Sequence, residues 1–192
     1  MRRRLNELML VIAIAIVSGI GSALIAMDLS RDSAALSIGP WQAASPASGS
    51  EGNPYRRAAA ATGDGIPLGT DEGIAFLARS DSAGEPLDGR CDYEVSGQAP
   101  SAALWTFTVY DGEERLMDNP AGRTGFHSRE ILRREDGSFA ILVSAGPRPG
   151  NWLPVASASE MTFAFRLYDA AFGAGIGGTE RPMPEIVAVG CR

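Results

Sequence analysis

The chain has 192 residues, with 17 basic against 23 acidic side chains and a single histidine. Every basic residue is arginine, which excludes Schiff-base lysines and phosphate-loop lysines, and one histidine excludes a His-rich zinc site. Arg2, Arg3 and Arg4 take three of the basic residues and Glu7 one of the acidic ones, leaving 14 against 22 from Leu8 onward, a net charge of −8 that repels nucleic-acid phosphates and anionic lipid headgroups. No nucleic-acid partner is expected, and nothing in the chain asks for a cofactor or a metal.

Residues Leu8 to Met27 run without a charge. At the helical rise, about twenty residues cover the roughly 30 Å hydrocarbon core of a bilayer. The arginines before this run keep the N-terminus in the cytoplasm by the positive-inside rule and send the rest across. A cleaved signal peptide is the rival reading, but its apolar core is shorter, about 7 to 15 residues, and Leu24-Ile25-Ala26 is a poor cleavage site. The expectation is therefore a single-pass protein of a bacterial inner membrane, anchored by this helix, with its C-terminal domain in the periplasm. Ser18, Ser22 and Ala26 recur every fourth position, as small residues commonly do in membrane helices.

Composition divides the chain into residues 1–28, the cytoplasmic arginines and anchor; 29–63, a stalk with a short helix; and 64–192, one globular domain. From Asp28 to Asn53 the sequence is rich in Ser, Ala, Gly and Pro, with Trp41 its sole aromatic residue, and reads as a stalk with little core of its own. Asn53 then caps a helix over Tyr55 to Ala61, with Pro54 at its first position and Gly63 beyond its end.

Beyond the stalk the hydrophobic period becomes two. Ile74, Phe76 and Ala78 share a face, as do Cys91, Tyr93 and Val95; Trp105, Phe107 and Val109; Phe139, Ile141 and Val143; Phe163, Phe165 and Leu167; and Val187, Val189 and Cys191. Asp111-Gly112 and Asp136-Gly137 supply turns between strands. Short alternating strands so punctuated predict an all-β fold, an antiparallel sandwich or jelly roll. Cys91 and Cys191 fall in step with inward positions in an exported domain, which predicts a disulfide closing about 100 residues. No C-x-x-C arrangement supports a redox pair instead.

Chemistry-bearing motifs are few. Gly173, Gly175 and Gly178 match the dinucleotide fingerprint in letters, but Pro182 and Pro184 break the helix it requires. His127 and Ser128 are neighbours on a strand and point to opposite faces, so they do not make a nucleophile and base. Asp81, Glu85 and Asp88 lack the ligand order of a calcium loop and read as turn formers. Asn151-Trp152-Leu153-Pro154 offers two readings: a recognition surface for sugar or peptide, or, preferred, Trp152 plugging one end of the core while Asn151 satisfies loop backbone. Arg123 and Arg166 are further ligand-binding candidates, each suited to clamp a carboxylate or to pair with an acid of its own domain such as Asp169.

The ordered set Trp105-Thr106-Phe107-Thr108-Val109-Tyr110-Asp111, Asn119-Pro120 with Gly122-Arg123, Asp136-Gly137-Ser138-Phe139, Asn151-Trp152-Leu153-Pro154 and Phe165-Arg166-Leu167-Tyr168-Asp169 resembles the domain-of-unknown-function family 1214, over roughly Gly73 to Asp169. The resemblance implies a jelly-roll β-sandwich and no activity, and it carries over no catalytic residue. Longer relatives place this domain behind a partner domain, family 1254, where this chain has its anchor.

Two functions follow as expectations. The first is a non-catalytic binding or assembly module of the envelope, whose ligand is an envelope protein or a glycan. The second is a carboxylate-dependent hydrolase of an envelope substrate, using Asp111, Glu113, Glu114 or Asp169 as acid and base. A plainer variant of the first is a structural protein docked on another membrane protein, for which an exposed apolar patch would be the sign.

Overall fold

The computed structural model describes residues 2–31, 34–44, 73–119, 121–156, 160–170 and 182–191. Helix α1 spans Arg2–Arg31. Its segment Arg3–Ala26 is long and apolar enough to cross a membrane, a property that anchors share with signal sequences. Ser18 and Ser22 donate their hydroxyls to the carbonyls of Ala15 and Gly19, so both polar side chains are satisfied within the helix itself.

The described residues beyond α1 form ten strands: β1 (Ala34–Ile38), β2 (Trp41–Ala44), β3 (Gly73–Ala78), β4 (Cys91–Gly97), β5 (Leu104–Asp111), β6 (Gly125–His127), β7 (Phe139–Ser144), β8 (Asn151–Pro154), β9 (Met161–Tyr168) and β10 (Glu185–Cys191). They form a six-stranded sheet in the order β1-β2-β3-β9-β5-β6 and a four-stranded sheet in the order β10-β4-β7-β8. Among the described strands all pairings are antiparallel except β7 with β8, which run parallel in register Ile141 to Asn151 through Ser144 to Pro154. The fold is largely antiparallel as expected, and that one parallel pair makes the four-stranded sheet mixed. The chain leaving Ser144 turns back through Gly146, Pro147, Arg148, Pro149 and Gly150 before β8 begins.

The apolar faces of both sheets meet in one core. Phe163, Phe165 and Leu167 of the central strand β9 are fully buried, flanked by Phe76 of β3 and Phe107 of β5. Across the core, Trp105 lies 4.9 Å from Phe139, and Tyr93 meets Phe163 edge-on at 5.8 Å, both ring-centroid distances. Each such pair adds about 0.5–1.5 kcal/mol to the burial of its area. Five of the six expected strands present the expected residues inward.

The sixth does not. On β10 the buried residue is Ile186, while Val187 and Val189 are 48% and 59% exposed. A register shift between Ala188 and Gly190 inserts one residue, which carries Cys191 back opposite Cys91. The disulfide Cys91–Cys191 forms across these two facing positions. The pairing is as expected; the shared inward step is not, because the bulge resets the alternation.

The stalk reading also needs correction. Residues 34–44 are a hairpin in the six-stranded sheet, with Gln42 and Ala43 of β2 paired to Leu77 and Phe76 of β3. Trp41 is completely buried, its ring edge-on to Phe165 at 5.8 Å and its indole N–H donated to the Pro184 carbonyl at 2.7 Å. Only residues 32 and 33 connect α1 to β1. The expected helix at Tyr55–Ala61 and the glycines Gly173, Gly175 and Gly178 lie outside the described residues.

Candidate functional site

The four ligand-binding candidates do not share one face of the fold. Asn151 is buried on β8, where its side-chain oxygen accepts from the Leu132 amide at 2.8 Å and its amide nitrogen donates to the Leu132 and Ala140 carbonyls, both at 2.9 Å. Its hydrogen-bonding capacity is spent on tying the segment before β7 to β8. That is the backbone-satisfying role, and it leaves nothing to present to a ligand.

Trp152 is not a core plug. On β8 the buried positions are Asn151, Leu153 and Pro154, so alternation turns Trp152 to the outer face, where it is half-buried and Leu153 fills the core in its place. The indole N–H donates to the Ser144 carbonyl at 3.0 Å, fastening β8 to the point where the chain leaves β7. Across the outer face of this sheet, Trp152, Leu142, Glu94 and Val187 stand in one row.

Arg123 lies over the Phe126 ring at 4.5 Å and within 3.8 Å of the Glu130 carboxylate. Glu130 in turn accepts from the His127 backbone amide at 3.1 Å, and the His127 ring nitrogen Nδ1 accepts from the Arg129 amide. The Ser128 hydroxyl accepts from the Trp105 amide at 3.4 Å, so His127 and Ser128 serve different backbone groups and share no proton.

Arg166 stands on the outer face of the six-stranded sheet, in register with Ala75 of β3 and Thr106 of β5. Its guanidinium donates to the Thr108 and Tyr110 hydroxyls, each at 2.9 Å, rather than to Asp169. The Ala164 row lies between the Arg166 and Tyr110 registers, so the side chain passes over it; Ala164 is fully buried although alternation places it outside. Trp152 and Arg166 therefore occupy the outer faces of opposite sheets and cannot share a ligand.

The carboxylates of the hydrolase reading are placed just as far apart. Asp111 pairs with Met161 at one end of the β5–β9 ladder and Asp169 follows Tyr168 at the other, a separation of about 25 Å along the strand. Carboxylate pairs that cleave glycosidic bonds sit within about 10 Å. Asp111 is also occupied: one oxygen accepts from the Glu113 and Arg115 amides, both at 2.9 Å, and the other from the Arg115 guanidinium at 3.2 Å. These bonds hold its carboxyl below the usual carboxylate range, the Arg115 amide contributing most. That suits an ionised anchor, whereas a general acid needs the opposite shift.

Asp111 belongs to a five-residue turn that recurs. In Asp81–Glu85, Asp111–Arg115 and Arg134–Ser138 the first amide donates to the fifth carbonyl and the fourth amide to the first carbonyl. The fourth residue is left-handed each time: Gly84, Glu114 and Gly137. Asp81 spends its side chain exactly as far as Asp111 does on backbone, accepting from the Ala83 and Glu85 amides at 2.9 Å. Asp88 is held by Arg90, whose guanidinium lowers its pKa to about 2. Asp81 and Asp88 thus stabilise turns through their side chains, and Glu85 takes part through its backbone amide and carbonyl.

Sequence reasoning passed over Thr108 and Tyr110. Their signal was present, since alternation with Trp105, Phe107 and Val109 turns both to the outer face, but only the β5–β9 register brings them to Arg166.

Two solved structures resemble the chain. The VPA0106 protein of Vibrio parahaemolyticus is 28% identical with a TM-score of 0.58, over 73% of this chain and 36% of that one. A putative uncharacterized protein from Burkholderia cenocepacia is 17% identical with a TM-score of 0.46, over 92% of this chain and 42% of that one. The chain thus spans well under half the length of either. No curated protein matches it. The model of the family described as "Protein of unknown function (DUF1214)" matches residues 72–172, more than half of the sequence and the whole span from β3 through β9, and the chain belongs to that family.

Proposed function

We propose that the protein is a membrane-anchored, extracytoplasmic module that binds or assembles rather than catalyses. The observation that carries this reading is the fate of its carboxylates: Asp111 is bound up in a turn and stands a full strand length from Asp169, while Glu113 and Glu114 pair with Arg115 and Arg79. The helix of spanning length behind three arginines supports anchoring in a bacterial inner membrane with the N-terminus inside. The disulfide supports a periplasmic sandwich, since such bonds persist in oxidising compartments.

Protease added to spheroplasts is the test. The account expects digestion of the sandwich and retention of a membrane-bound fragment that contains α1. Full protection of the sandwich, or a mature chain lacking α1, would overturn the anchored topology.

A further inference from the structure

Of the nine described arginines of this acid-rich domain, Arg79, Arg90, Arg115, Arg123 and Arg148 pair with carboxylates, and Arg129, Arg133 and Arg134, which do not, are exposed. Arg166 is half-buried and makes no ion pair among the described residues. Both its partners are hydroxyls, and a hydroxyl that accepts from a guanidinium keeps its own proton to donate. Neither the Thr108 nor the Tyr110 hydroxyl has an acceptor for that proton among the described residues. The guanidinium also lies 5.4 Å from the centre of the Tyr110 ring, which fixes the side chain along β5.

Three half-buried groups therefore converge on the outer face of the six-stranded sheet with protons to give, no acceptor for them among the described residues, and one positive charge. Guanidinium N–H groups beyond the two already used remain available in a planar fork that matches an oxyanion. The Gly125 position keeps the β6 side of this face low: a Cβ there would meet the Phe107 carbonyl oxygen and the Thr108 methyl. Across Thr106 in the same row as Arg166 stands His127, the next ionisable group on that side.

We propose that Arg166, Thr108 and Tyr110 form a binding site for an oxyanion, the carboxylate or phosphate group of the ligand that this module recognises. The proposal deepens the binding-module reading and rests on it. Charge selects the class: in a domain of net negative charge, a cation with no counter-ion among the described residues and backed by two polarised hydroxyls discriminates for an anionic group and against neutral sugars or cationic peptides.

The test is titration of the full-length protein in a neutral detergent with D-glucuronate, with inorganic phosphate and with glucose as the uncharged control, read by the Arg166 side-chain Nε–H resonance. The site predicts saturable shifts with glucuronate or phosphate and none with glucose; the stronger of the two identifies an acidic sugar or a phosphate group as the source. Arg166→Gln should weaken binding by about tenfold or more, the loss expected of a charge-assisted hydrogen bond. Tyr110→Phe, which keeps the ring and removes one donor, should weaken it several-fold with the melting temperature unchanged, and carries the test if Arg166→Gln fails to fold. Saturation by neither anion, or equal affinity in Tyr110→Phe, would overturn the site. A failed titration alongside a specific envelope crosslink would remove this site and leave the binding-module reading standing.

Discussion

Replacing Trp41 tests whether the segment after α1 is part of the sandwich. The side chain is completely buried against Phe165, and its indole N–H satisfies the Pro184 carbonyl just ahead of β10. Trp41→Ala removes the ring from a packed site and costs about 3–5 kcal/mol, as large-to-small core changes do. Trp41→Phe restores most of the ring but leaves the carbonyl without its donor, a loss of about 1–3 kcal/mol. For a domain of this size each kcal/mol lowers the midpoint by about 2–4 °C, so Trp41→Ala should melt about 6–20 °C below wild type, with Trp41→Phe in between. Thermal unfolding of the full-length chain in detergent, followed by near-ultraviolet circular dichroism, reads both. A Trp41→Ala protein that melts within 2 °C of wild type would refute the placement of the hairpin and restore the stalk.

Four further outcomes follow. Trp152→Ala should cost less than Trp41→Ala, about 1–2 kcal/mol for a half-exposed ring and one hydrogen bond, and a larger loss than Trp41→Ala in the same melting experiment would reverse the assignment of which tryptophan serves the core. Glu114→Gly should raise stability by about 0.5–1 kcal/mol in denaturant titration by relieving a left-handed non-glycine residue, at the turn position where Gly84 and Gly137 already stand; a clear destabilisation would contradict the strain argument. Reduction of Cys91–Cys191 should lower the midpoint, with a ceiling of about 4–5 kcal/mol for a loop of this length, and an unchanged midpoint after verified reduction would show that the bridge constrains nothing. On acidification, Asp88 contributes stability that is fully present above its ordinary value of 3.8 and lost as pH falls through about 2, because its folded pKa is depressed by Arg90. Asp111 and Asp136, also lowered, act in the same direction, so melting temperature should decline more steeply below pH 4 in wild type than in Asp88→Asn.

How much of this was legible in the sequence depends on whether local alternation controlled the element. Phe163, Phe165 and Leu167 sit in a strand buried on one face, so period two names the core directly. The same rule fails on β10, where one inserted residue between Ala188 and Gly190 moves the parity while keeping Cys191 opposite Cys91. The hairpin 34–44 was hidden by composition: four of its eleven residues are alanine, and stability comes from Trp41 reaching the core, a long-range fact. Yet Trp41 and Ala43 did alternate inward, with Gly39-Pro40 as a turn ahead of them, Gly39 being left-handed. At Asn151-Trp152 the larger aromatic attracted the core assignment, whereas strand parity gives the core to Leu153. The carboxylate question was not decidable from spacing, since only the β5–β9 register separates Asp111 from Asp169.

The most direct test of the account is in-membrane crosslinking of the full chain in native envelopes, comparing wild type with a chain carrying Asp111→Asn, Glu113→Gln, Glu114→Gln and Asp169→Asn. A binding or assembly module predicts one discrete adduct, formed equally by both proteins. The absence of any adduct with wild type, or its loss in the amide variant while the fold survives, would contradict the account and return the carboxylates to the centre of the function.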